Sequence, residues 1–339
     1  MNRVGVIGLG MMGLTHLDAW SRRDDVLVTA IADQDTARLS GEAVAEANLE
    51  GLAETSFDYD RVKKHTDAYD LINDSAIDIV DICLPTHLHL IFTKAAIDAG
   101  KHVLVEKPLA RNYHDAMQIV ELASTTDKIV MPAQCMRFWP GWSWLKDIVD
   151  NKKYGNVLSA NFKRMGGHPK GAFYENGDLN GGGLLDIHIH DTDFVQFLFG
   201  IPSSVSSKGY KYHTNCVDHV ITTYDYDSVP IVIAEGGWWP VDNCPFHMSY
   251  TVVFDDAVAM FDISKGSFVT VIERGDKEPR DIEMSNALGY DNEIAYFINC
   301  VKNNMQPKIV TTEEAANTIL IAEAERDSVE SGKPISLKK

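Results

Sequence analysis

The run Arg3-Val4-Gly5-Val6-Ile7-Gly8-Leu9-Gly10-Met11-Met12-Gly13 decides the fold. Residues 3–7 read as a buried strand, and Gly8, Gly10 and Gly13 follow at once with G-x-G-x-x-G spacing. Residues 14–22 continue as a helix, with Leu14, Leu17 and Trp20 at core spacing. A second apolar run, residues 26–32, ends on Asp33, twenty residues beyond Gly13. Strand, glycine turn, helix, strand and acid in this order make a dinucleotide-binding βαβ unit. Gly8 permits the tight turn, Gly10 lets backbone approach a pyrophosphate, and Gly13 allows close helix–strand packing. Met11 and Met12 open the helix whose N–H groups and partial positive charge suit phosphates. Asp33 is placed to accept hydrogen bonds from the adenosine ribose. Asp35 competes as the cap of the next helix, which leaves Asp33 for that role. A carboxylate there repels a 2′-phosphate, and Arg38 is a turn away, so the expected cofactor is NAD.

Working outward, strands and helices alternate through the first third of the chain. Residues 36–50 read as an Ala-rich amphipathic helix, and residues 51–66 as a polar surface excursion. Residues 77–83, 102–105 and 129–131 read as further strands, with helices near residues 88–99 and 112–124 between them. That alternation means a doubly wound parallel sheet. Its ligand crevice lies beyond the carboxyl ends of the strands, where Gly8, Asp33, Pro85 and Lys107 fall. Pro85, Thr86 and Glu106 are assigned to the cofactor side of that crevice, and His89 to a structural role.

The pattern changes near Pro132. After a helix over residues 141–151, period-two runs dominate: residues 157–164, 217–226, 231–238, 248–254, 257–262 and 268–273. They predict a mainly antiparallel open sheet in an α+β domain, interrupted by a helix over residues 184–199. Two amphipathic helices, residues 290–303 and 312–331, close the chain.

Composition narrows the class of function. The chain has 339 residues, enough for two domains. With 31 basic against 49 acidic residues its formal net charge is −18, which argues against nucleic acid and anionic membranes as partners. No apolar run approaches membrane-spanning length, and the first strand begins by residue 3. The five cysteines are scattered without a C-x-x-C, as fits free thiols in a reducing cytoplasm. The expected location is therefore cytoplasmic.

Four features in order carry a resemblance to a known family. They are the glycine fingerprint, Leu84-Pro85-Thr86-His87-Leu88-His89, Glu106-Lys107-Pro108, and Gly181-Gly182-Gly183-Leu184-Leu185-Asp186-Ile187-His188-Ile189-His190. Over nearly the whole chain the sequence resembles the Gfo/Idh/MocA oxidoreductases, the family of glucose–fructose oxidoreductase and inositol 2-dehydrogenase. The resemblance implies an NAD-dependent enzyme moving a hydride between nicotinamide and a secondary alcohol of a sugar, sugar acid or cyclitol. It also implies that the closing helices return to the first domain. The expected domains are thus residues 1–132 with 288–339, and residues 133–287 for substrate and oligomerisation. A homodimer or homotetramer through the C-terminal sheet is implied as well, with Trp238 and residues 231–234 as apolar candidates for its face.

Matched to the family's motifs, Lys107 contacts the reacting hydroxyl, its bond to Pro108 is cis, His190 is the acid/base and Asp186 orients substrate hydroxyls. The residues agree with those roles. Imidazole titrates near neutrality, and Asp186 and His190, four apart, share one face of a helix. His188 departs from the small residue usual in the family. It reads a substrate group, fills space, or joins Asp186, His190 and Asp191 around a metal; hydride transfer assisted by a lysine needs no Lewis acid, so no metal is assigned. Arg137, His168 and Tyr174, with Phe173, Trp238, Trp239 and Phe246, are candidates for a sugar-shaped pocket, and sheet-face packing or a dimer interface is the other reading of Trp238 and Trp239. Two rival readings stand beside the dehydrogenase. One is a glycosidase of the same architecture that oxidises its sugar transiently, and the other is a ligand-sensing homologue without chemistry.

Overall fold

The computed structural model describes residues 1–42, 57–241 and 244–338. The distal part of the helix expected over residues 36–50, and the start of the excursion after it, lie outside the described residues. The chain forms two compact units, one of residues 1–135 with 290–316, the other of residues 136–289 with 317–339.

The first unit is built on six strands: β1 Asn2–Ile7, β2 Val26–Ala32, β3 Lys63–His65, β4 Ile79–Ile82, β5 His102–Glu106 and β6 Val130–Ala133. They lie in the order β3-β2-β1-β4-β5-β6, and their pairings are parallel. This is a doubly wound sheet that reverses direction between β1 and β4, the position where such sheets bind ligands. The apolar runs are continuous because both faces are covered: Val4, Val6, Ile79, Val80, Ile82, Val103, Leu104 and Val105 are all fully buried. Helix Met11–Ser21 buries Leu14, Leu17 and Trp20, and Trp20 meets Phe297 of helix Gly289–Asn303 edge-on at 6.3 Å. The short strand β3 was not expected. Its Lys-Lys-His sequence carries no apolar signal, because it forms an edge whose side chains stay largely in solvent.

The second unit holds a nine-stranded sheet. Its strands are β7 Val157–Gly167, β8 Ser204–Tyr210, β9 His219–Asp225, β10 Ile231–Trp239, β11 His247–Phe254, β12 Ala257–Asp262, β13 Phe268–Glu273, β14 Arg280–Glu283 and β15 Ile335–Ser336. The order is β14-β13-β12-β11-β7-β10-β9-β8-β15. Every pair is antiparallel except β10 with β7, because the oppositely directed strands β10 and β11 lie on either side of β7. One face is buried by Phe162, Val220, Tyr224, Val232, Ala234 and Tyr250. The other alternates outward through Asn161, Ile221, Thr223, Ile231 and Thr251. Trp238 does not belong to that outward face as expected; it is fully buried, as are Val232 and Ala234, and only Ile231 remains half exposed.

The closing helix Thr312–Ser331 differs from expectation in its second half. Residues 317–339 group with the second unit. There Glu325 is fully buried beside Tyr224, Thr318 donates to Asp193 at 2.9 Å, and β15 pairs with β8.

Candidate active site

In the first unit the glycine loop has the stereochemistry its sequence requires. Gly8 sits at φ +87°, and a Cβ on it would meet the Cys83 carbonyl oxygen at 2.5 Å. A Cβ on Gly13 would lie 1.8 Å from the Gly8 carbonyl oxygen, so only glycine lets the helix start this close to β1. Around Gly10 the result is opposite: nothing lies within 4 Å of where its Cβ would be. Gly10 is also the N-cap of helix Met11–Ser21, and no side chain caps that end. Bare backbone, an open approach and an uncapped helix start form a cradle for a pyrophosphate.

Asp33, at the end of β2, accepts the Leu9 N–H at 2.7 Å with Oδ2 and the Asp35 N–H at 2.9 Å with Oδ1. Asp35 takes the capping role, accepting from Ala37 at 2.9 Å. Arg38 comes closer to Asp33 than its position in the sequence implied, with Nη1 at 3.5 Å from Oδ2. Pro85 and Thr86 open a short turn beyond β4, Thr86 being nearly buried. His89 spans two loops, with Nδ1 2.9 Å from the Pro108 carbonyl and Nε2 2.7 Å from that of Leu84. Its burial holds its pKa below the usual histidine value. The peptide Lys107–Pro108 is cis, and Lys107 is half-buried at the end of β5. Glu106, assigned to the cofactor side, is instead turned inward. Its Oε1 lies 3.0 Å from His16 Nε2, and its Oε2 accepts the Lys107 N–H at 2.8 Å.

In the second unit the segment Leu184–His188 is a single π-helical turn that runs into the α-helix Ile189–Phe199. Such turns widen the helix by one residue and recur at functional sites. Here Asp186 and His190 are partly exposed while Ile187, His188 and Ile189 between them are buried. Trp238 Nε1 donates to Asp186 Oδ2 at 3.1 Å. Around it stand His168, edge-on to Trp238 at 4.7 Å, and Tyr174, edge-on at 6.5 Å. The structure therefore brings Asp186, His168 and Tyr174 together around an indole.

His213 joins them without any signal in the sequence. It stacks on His168 at 4.2 Å with planes 7° apart, and its Nε2 lies 2.9 Å from the Trp239 carbonyl. Its loop is held by buried Asp218, whose Oδ2 accepts the N–H groups of Tyr212, His213 and Thr214 at 2.7–2.8 Å.

Two substrate candidates are placed elsewhere. Arg137 is fully buried and grips Asp193 with two hydrogen bonds of 2.9 and 2.7 Å, so its guanidinium serves the core. His188 is fully buried, with Nε2 3.3 Å from both Glu325 Oε1 and the Tyr224 hydroxyl. A Cβ on Gly236 would meet His188 Nδ1 at 2.7 Å, so that glycine makes room for the larger ring. Asp191, the further member of the metal alternative, pairs instead with Arg164 through two bonds of 3.0 Å.

The chain matches the family described as Gfo/Idh/MocA, oxidoreductases with an NAD-binding Rossmann fold, over residues 2–134. It matches that family's C-terminal domain over residues 142–271. This chain belongs to the Gfo/Idh/MocA oxidoreductase family. It is 26% identical over 352 residues to a myo-inositol 2-dehydrogenase of Thermotoga maritima, covering 99% of this chain and 98% of that protein. It is 27% identical over 212 residues to a 2,7-anhydro-N-acetylneuraminate hydratase of Escherichia coli, covering 62% of this chain and 53% of that protein. A levoglucosan dehydrogenase solved with NADH and levoglucosan shares the fold, with a TM-score of 0.85 over 100% of both chains at 18% identity. The Gly8–Gly13 loop fits the family's NAD. The cradle at Gly10 and the helix start at Met11 and Met12 would hold its pyrophosphate, and Asp33 its ribose. Among the described residues no helix is long and apolar enough to cross a membrane.

Proposed function

We propose that the protein is an NAD-dependent dehydrogenase acting on a secondary alcohol of a sugar, sugar acid or cyclitol. The observation that carries this reading is the π-turn. It carries a carboxylate and an imidazole, Asp186 and His190, each partly exposed, and Asp186 lies beside aromatic walls suited to the C–H faces of a ring. NAD, when bound, supplies the hydride acceptor. His190 takes the hydroxyl proton during oxidation and returns it in the reverse direction. Lys107, a cation, stabilises the alkoxide as its charge develops. Asp186, oriented by Trp238, binds the neighbouring hydroxyls. The names of the relatives support a polyol or sugar as substrate.

The open face of the nine-stranded sheet, with Ile221 and Ile231 about half exposed, supports a homodimer or homotetramer through that face. Light scattering at micromolar concentration tests it, and a monomer refutes it.

A screen of sugars, sugar acids and inositols for NADH production tests the function. Steady accumulation of NADH with one of them is the expected result. Turnover of substrate without net NADH would replace the dehydrogenase by a transient-oxidation enzyme such as the glycosidase considered from sequence, and the hydratase relative makes that comparison worthwhile. Binding of a polyol with no reaction would leave the ligand sensor.

A further inference from the structure

Four buried side chains in the first unit form a chain that ends at Lys107. Trp20 Nε1 donates to Asp81 Oδ2 at 2.7 Å, and Asp81 Oδ2 lies 3.0 Å from His16 Nδ1. His16 Nε2 is 3.0 Å from Glu106 Oε1, off the line of a hydrogen bond but within ion-pair distance. Glu106 Oε2 then accepts the peptide N–H of Lys107 at 2.8 Å. His16 and Asp81 are fully buried and Glu106 is only 4% exposed. The groups facing the His16 ring are Asp81, Glu106, the Cys83 thiol at 3.5 Å and the ring of Tyr290 at 6.1 Å.

A carboxylate buried this deeply must be paired, because an isolated charge away from water is strongly unfavourable. Two cationic groups stand beside Glu106 in the fold, the third nearby base, His89, being held neutral by burial. One is the ammonium of the next residue, and capturing it would consume the cation that the proposed chemistry uses. The other is the imidazolium of His16, set on the opposite side by helix Met11–Ser21. In this structure each oxygen of Glu106 has a partner, one the His16 ring and the other the Lys107 backbone. Asp81 and Trp20 in turn fix the ring from behind.

We propose that His16 is a positioning residue for Lys107: it anchors Glu106 so that the carboxylate holds the Lys107 peptide without capturing its ammonium. This rests on the catalytic role proposed above for Lys107, and its test has one arm that does not.

The variants are H16N and the double variant H16N/E106Q. Glutamine needs no countercharge, and its side-chain carbonyl can still accept the Lys107 N–H. In H16N, amide hydrogen exchange at Lys107 should accelerate by about tenfold or more, with cofactor and substrate absent. With the substrate found by the NADH screen, kcat should fall about 10- to 100-fold with KM little changed, as for a displaced catalytic group. The double variant should regain most of both. Unchanged exchange at Lys107 in H16N overturns the proposal, and so does a double variant no better than the single one. If H16N alone does not fold, recovery of a folded protein by E106Q is the expected result, and an unfolded double variant overturns it. If the wild type reduces NAD with no polyol, the dehydrogenase reading fails, while the exchange measurement still decides the role of His16.

Discussion

Arg38 pairs with Asp33: its Nη1 lies 3.5 Å from the Oδ2 that also accepts the Leu9 N–H at 2.7 Å. The carboxylate is therefore fixed by backbone on one side and partly neutralised on the other. NAD should still be preferred, since a 2′-phosphate would have to displace Arg38 from Asp33 before it could be tolerated. Asp33→Ser frees the guanidinium for a phosphate and should lower the NAD/NADP ratio of kcat/KM by about tenfold or more, equivalent to about 1.4 kcal/mol. Arg38→Ala on that background should reverse part of the change. An unaltered ratio in Asp33→Ser would show that the acid does not read the ribose.

His190→Ala and Lys107→Ala should each reduce kcat by about a hundred- to ten-thousand-fold while NAD binding persists, as for removal of a positioned acid/base or charge stabiliser. In the wild type kcat/KM should rise with pH as the imidazole loses its proton, and His190→Ala should lack that limb. Asp186→Asn should raise KM more than it lowers kcat. Near-normal turnover with an unchanged pH profile in His190→Ala would assign the base elsewhere, with Lys107 the next candidate.

Arg137 should behave as a core residue. Arg137→Ala leaves the buried Asp193 with the Thr318 hydroxyl but without its cation, and should destabilise the fold by about 3–5 kcal/mol in urea unfolding. Arg137→Met, paired with Asp193→Leu, should recover much of the loss. A raised KM at unchanged stability in Arg137→Ala would return the residue to the substrate pocket.

Gly236→Ala tests the π-turn. The added methyl would meet three atoms of His188 at 2.7–2.9 Å, two of them in a ring or branch already held by Glu325 and Tyr224 and one in the backbone. Overpacking of this kind costs about 1–3 kcal/mol. A lower Tm, with loss of activity beyond what stability explains, is expected. A variant with normal Tm and kcat would mean that the turn yields easily.

His16 also gives stability a pH dependence. Burial alone disfavours its charge, yet its pKa is held well above 6.5; since burial keeps the neighbouring Cys83 thiol neutral at such pH, the group that holds the charge is the Asp81 carboxylate. The stabilisation is complete below the unfolded value of about 6.5, declines as pH rises toward the folded value, and is absent above it. H16N should therefore be more destabilised relative to wild type at pH 6 than at pH 9, as read by urea unfolding. A difference that is constant or grows with pH would mean the folded ring is neutral.

The sequence by itself determined what depends on neighbours along the chain. Gly8, Gly10 and Gly13 could be given separate roles because a left-handed turn and a tight contact each exclude a Cβ, while at Gly10 the space is left open for a ligand's approach. The apolar runs of β1, β2, β4 and β5, and the alternation along β7 and β9 to β13, specified a parallel sheet and a mainly antiparallel one because burial on two faces or one leaves those periods. The spacing of four between Asp186 and His190 set the expectation that they share a face. Only the tertiary structure decided the partners of buried polar groups. Nothing local marks Arg137 for Asp193, His188 for Glu325, Trp238 for Asp186, or Glu106 for His16, since each pairing joins segments that meet only on folding. The edge strands β3, β14 and β15, and β8 next to an edge, escaped notice for the complementary reason. Their side chains face mostly solvent, so their pairing is specified by backbone hydrogen bonds to a neighbour and not by any pattern of their own.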